Sequence, residues 1–81
     1  MYIKDKRLSL KAKGLLAILL ELQEEKKDLL PFSVYPTSDR DITINSAMTE
    51  LRKYCYVTDV YEYRGQIAKC VGIMAFRYPQ E

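Results

Sequence analysis

The sequence predicts an α+β fold in one small domain: two amphipathic helices followed by a β-hairpin. Three observations carry this. Leu8 to Leu22 holds apolar residues at helical spacing. Ile44, Ala47, Met48, Leu51 and Cys55 repeat that spacing later in the chain. Residues 56–78 are dominated by tyrosine, valine and isoleucine, with a turn at Arg64-Gly65-Gln66.

The first helix is expected over residues 9–26, with Ser9 as its N-cap. At about 100° per residue, Leu8, Ala12, Leu15, Ile18, Leu19 and Leu22 gather on one side, with Leu16 and Leu20 at its edge. Lys13, Gly14, Glu21, Glu24 and Glu25 lie opposite. The apolar run Leu15 to Leu20 is far shorter than the ~20 residues of a membrane span, so no membrane contact is expected. The arc covers roughly 200°, more than one packing face requires. It is either covered on two sides or partly used as a homodimer seam.

Residues 28–41 contain Pro31 and Pro36, which rule out a long helix there. Phe32-Ser33-Val34 fits a short strand, and Ser38 to Asp41 has the spacing of a weak capping motif. A second helix is expected over 42–55, with Thr43 as its candidate cap. Its outer face carries Asn45, Ser46, Thr49, Arg52 and Lys53. The hairpin's first arm places Val57, Asp59, Tyr61 and Tyr63 on one face. Its second arm alternates Ile67, Lys69, Val71 and Ile73 with Ala68, Cys70, Gly72 and Met74, both rows partly apolar. That arm should be the better buried strand.

Composition narrows the function. The chain has 81 residues, no histidine, two cysteines and three glycines. Ser-His and Cys-His nucleophile pairs are therefore excluded, as are most zinc sites and glycine-rich phosphate loops. No enzyme and no cofactor are expected. Two lone cysteines and the lack of a signal peptide fit a reducing cytoplasm. The net charge is only +2, but residues 1–13 carry +4 and residues 21–28 carry −2. A basic cluster of that kind meets phosphate or an acidic protein surface.

Helix, short strand, cramped turn region, helix and hairpin is the element order of a winged helix-turn-helix. In full it reads helix, short strand, reduced second helix, recognition helix and β-hairpin wing. The stretch Leu8-Ser9-Leu10-Lys11-Ala12-Lys13-Gly14-Leu15-Leu16-Ala17 resembles the opening of the winged-helix domains found at the N-terminus of phage and plasmid replication-initiation proteins, the replisome organisers. Ser46-Ala47-Met48-Thr49-Glu50-Leu51 with Cys55-Tyr56-Val57 echoes the end of their recognition helix. Cys55 stands where that pattern has glycine, and the segment between the helices is about one turn short. The resemblance implies a double-stranded-DNA-binding protein of a phage, prophage or mobile element, acting in replication or transcription regulation in a bacterial or infected host cell.

In that reading Asn45, Ser46, Thr49 and Lys53 enter the major groove, where Asn pairs with adenine and Thr touches a base or methyl. Lys11, Lys13, Arg52 and Arg64 neutralise phosphates. The alternative is a protein-binding module on a degenerate winged-helix scaffold that inhibits or redirects a host or phage protein. Tyr61 and Tyr63 on the hairpin are its candidate interface, since tyrosine offers contact area with a polar tip.

Overall fold

The computed structural model describes residues 1–26 and 40–80. A short 3-10 turn at Tyr2–Lys4 precedes helix α1 (Leu10–Lys26), helix α2 (Asp41–Lys53) and strands β1 (Val57–Arg64) and β2 (Ile67–Ala75). This is an α+β, winged-helix-like arrangement: two helices and a two-stranded antiparallel hairpin. The short strand expected at 32–34, the reduced second helix and most of the Ser38–Asp41 motif lie outside the described residues. Among the described residues no helix is long and apolar enough to cross a membrane.

Helix α1 starts where the sequence places its cap. The Ser9 carbonyl accepts from Lys13 N–H at 3.0 Å, closing the first turn. The Ser9 hydroxyl oxygen accepts from Ala12 N–H at 3.3 Å. The buried face is centred differently from the expected one. Leu16 and Leu20, placed at the edge, are buried with Ala12, Leu15 and Leu19, whereas Ile18 and Leu22 are only half-buried. Leu15 and Ile18 lie beside Ile44 and Ala47 of α2, and Gln23 bonds Ala75 of β2, so the buried face of α1 lies between its two neighbours. The wide arc is thus largely covered by the chain's own elements. Gln23 adds a polar tie: its side-chain amide donates to Ala75 O at 3.0 Å and accepts from Ala75 N–H at 2.8 Å.

Helix α2 begins at Asp41, with Arg40 at the N-cap and no side-chain capping bond. Thr43, the expected cap, lies inside the first turn instead. Ala47, Met48 and Leu51 are buried as the spacing predicts, with Ile44 packed against them. Cys55 departs from the expectation: it is exposed and outside the helix. The helix ends in a Schellman turn, with Tyr56 N–H donating to Leu51 O at 2.8 Å and Cys55 N–H to Arg52 O at 3.2 Å. Cys55 takes the left-handed position of that turn, at φ 66°. A β-carbon is strained there and glycine is not. Cys55→Gly should therefore stabilise the domain by about 1 kcal/mol, read as a rise in thermal midpoint of about 4–8 °C.

The ladder of the hairpin runs from Val57 opposite Ala75 to Arg64 opposite Ile67. Gly65, at φ 63°, is the first of its two loop residues, where strand twist calls for a positive φ. The register shifts between Val60 and Tyr61, leaving Val71 as an extra residue on β2. This bulge breaks the alternation expected for the second arm. Ile73 points into the core and is fully buried, while Ile67, Lys69 and Val71 line a hollow with Glu62 and Arg64 on the other surface. Burial is confined to the hairpin's base: Val57 on β1, and Gly72, Ile73 and Ala75 on β2. As the sequence indicates, β2 is the better buried arm.

Tyr56 and Tyr2 complete the core, packed with Leu16, Leu19, Leu51 and Ile73. The Tyr56 hydroxyl donates to Asp5 Oδ2 at 2.7 Å, tying the N-terminal segment to the corner after α2. Tyr2 N–H donates to Arg77 O at 3.3 Å, so the two ends of the described chain also meet.

Candidate nucleic-acid interface

The outer face of α2 is the surface on which most candidates converge. Asn45, Ser46, Thr49, Arg52 and Lys53 are all exposed. Their placement follows from the helix period: with Ala47, Met48 and Leu51 in the core, these positions must turn outward. Thr49 donates its hydroxyl to Asn45 O at 2.9 Å, which leaves its oxygen free to accept.

The single carboxylate in the body of α2 is turned away from this face. Glu50 Oε1 accepts from Ser9 N–H at 2.9 Å, and Oε2 accepts from the Ser9 hydroxyl at 2.7 Å. In a capping box a glutamate three residues into the same helix satisfies the cap residue's N–H. That position in α1 is Ala12, and Glu50 of the other helix supplies the missing acceptor. The bonds from Ser9, followed by the nearby Lys11 charge, hold the Glu50 carboxyl below its ordinary value despite partial burial.

Lys11 joins the edge of the same face. Its ammonium donates to Ser46 Oγ at 2.8 Å and lies 4.0 Å from Glu50 Oε2. Arg52 reaches across to β1 and pairs with Asp59 at 3.0 Å. Arg64 stands at the wing tip, its side chain 87% exposed and 3.9 Å from Glu62. Such exposed pairs contribute little, so phosphates can replace these carboxylates at small cost. Lys13 is not brought to the face. It is half-buried and sits about 200° around α1 from Lys11.

One cation near the site was not singled out in the sequence. Arg7 lies over the Tyr54 ring at 4.7 Å from its centroid, and Lys53 lies 5.4 Å from the same centroid. Arg7 also forks Asp5, with contacts of 2.7–3.2 Å. Those bonds, first from Arg7 and then from the Tyr56 hydroxyl, hold the Asp5 carboxyl well below the usual carboxylate range. Arg7 belongs to the basic N-terminal run, but nothing local in sequence links it to Tyr54.

The tyrosines divide into two groups. Tyr2 and Tyr56 are core residues, whereas Tyr61 and Tyr63 are 51% and 72% exposed on the wing. Comparison with family models, curated proteins and solved structures finds no match for the chain.

Proposed function

We propose that the chain is a duplex-DNA-binding module that lays α2 in the major groove and sets its wing against the backbone. Its role would be the regulation of replication or transcription in a phage or other mobile element. The observation that carries the reading is the composition of the α2 outer face. Asn45, Ser46 and Thr49 can read base edges, and Lys53 and Arg52 can reach phosphates. Glu50, which would repel the backbone, is consumed by Ser9. Lys11 and Arg64 extend the basic contribution to either side.

The test is a pair of single substitutions at phosphate-facing positions. Lys53→Ala and Arg64→Ala should each weaken binding several-fold for every duplex sequence and reduce the salt slope by about 1. Asn45→Ala should instead flatten the preference among sequences. Unchanged affinity in both cation variants would remove the model.

A second reading, a protein-binding module that inhibits or redirects another protein, draws on a separate observation. Tyr61 and Tyr63 are held exposed on a part of the wing that bears no charged side chain on their face. Retention of full DNA affinity in a Tyr61→Ser, Tyr63→Ser variant separates the two surfaces.

A further inference from the structure

Two hydrogen bonds within the chain set the direction in which the hydroxyls of the α2 face can act. A hydroxyl has one proton to donate and two lone pairs that accept. Thr49 spends its proton on the Asn45 carbonyl at 2.9 Å. A carbonyl oxygen only accepts, so the direction of that bond is fixed and Thr49 turns outward as an acceptor alone. Ser46 has the opposite sense. Its oxygen accepts from the Lys11 ammonium at 2.8 Å, and an ammonium only donates. The positive charge disfavours a second N–H beside it, and the Ser46 proton, kept away from Lys11, is given outward.

Both hydroxyls stand where a base edge would lie. Asn45, Ser46 and Thr49 are exposed. At about 100° per residue, Thr49 falls between the other two, roughly 40° from Asn45 and 60° from Ser46. In the major groove the donors are the amino groups of adenine N6 and cytosine N4. A lone acceptor therefore finds a partner on adenine or cytosine and none on guanine or thymine. A lone donor finds adenine N7, guanine N7 and O6 or thymine O4, and nothing on cytosine.

We propose, resting on the DNA-binding reading, that these two bonds fix the base readout of α2: Thr49 selects adenine or cytosine, and Ser46 rejects cytosine. Lys11 is then a positioning residue that acts on the base through Ser46. Its ammonium has three donors, so the Ser46 bond leaves others for a phosphate.

Selection of sites from a random duplex library, followed by affinity measurements on single-base variants of the selected site, tests this with the whole chain. Wild type should hold one position as adenine or cytosine. Thr49→Val keeps the shape but has no lone pair, so it should lose about tenfold of discrimination at that position alone. The selected base without its amino group, as a purine or a pyrimidinone, should bind wild type about tenfold more weakly and Thr49→Val with little further change. Ser46→Ala identifies the second position. Lys11→Met should lower affinity for every sequence and also admit cytosine there, because the freed hydroxyl can turn to accept. Arg64→Ala should lower affinity with every base preference kept. Thr49 and Lys11 are exposed, so their variants should keep the wild-type thermal midpoint. Guanine or thymine selected at the position that Thr49→Val alters, or a Thr49→Val chain with every preference intact, would overturn the proposal and leave the DNA reading standing. Cytosine still rejected by Lys11→Met would overturn the role of Lys11. Absence of duplex binding by wild type would overturn the proposal and the DNA reading together.

Discussion

Leu51→Ala should cost about 3 kcal/mol and lower the thermal midpoint by about 12 °C or more. Leu51 is fully buried and packs in the cluster that joins α1, α2 and the hairpin. Its carbonyl also receives the Tyr56 N–H that closes the turn after α2, and the Tyr56 ring is itself fully buried. Truncation therefore removes the apolar partner of the Schellman turn along with core volume. A chain of 81 residues has only about 4–12 kcal/mol to lose. Urea unfolding followed by far-ultraviolet circular dichroism gives the value. A loss of no more than about half a kcal/mol, or a thermal midpoint within about 2–3 °C of wild type, would show that the core is not centred on Leu51.

Glu50→Ala has the second largest expected effect, about 2 kcal/mol. It strands two donors of Ser9, the N–H and the hydroxyl, at the start of α1. It also removes the direct side-chain hydrogen bonds that join the body of α2 to the α1 cap. Ser9→Ala should be nearly silent in the Glu50→Ala background, because the two residues act as a unit. The same contact makes stability depend on pH. The folded-state pKa of Glu50 lies below its ordinary value of 4.5, so the unfolded chain binds more protons as pH falls. The contribution is present in full above the ordinary carboxylate range and is lost as pH drops through the folded value. Asp5, whose carboxyl is lowered by Arg7 and Tyr56, adds to the loss in the same direction. Glu50→Gln should flatten the acid side of the stability profile. An unchanged acid limb would mean that the Ser9 contact does not set it.

The elements that could be read from sequence are those whose signals are local. The apolar period of α1, the cap at Ser9, the α2 face of Ala47, Met48 and Leu51, and the turn at Gly65 all lie within a few residues of their causes. The features that could not be read join distant parts of the chain. Ser9 meets Glu50 across 41 residues and Tyr56 meets Asp5 across 51. No periodicity encodes either pair. Cys55 misled because it falls four residues after Leu51, at helical spacing, whereas the backbone has already turned left-handed there. The bulge at Val71 was hidden for a different reason. Alanine, cysteine and glycine in one row of β2 and aliphatics in the other give no strong inside-outside contrast, so a register shift leaves the pattern equally plausible.

The candidate site was legible in part for the same reason. The α2 residues project outward as a direct consequence of the helix period. The wing places Arg64 at its tip because the turn is local. Which cations gather is a tertiary matter: Lys11 meets Ser46, Lys13 points elsewhere, and Arg7 arrives beside Lys53 through the Tyr54 ring.

Fluorescence anisotropy of a labelled random-sequence duplex titrated with the wild-type chain across a salt series tests the proposed DNA contact most directly. If Lys11, Arg52, Lys53 and Arg64 each neutralise one phosphate, log affinity should fall linearly with log salt at a slope of about −3 to −4. Absence of binding at low salt, or affinity that does not change with salt, would contradict a DNA-binding role for the α2 face and the wing.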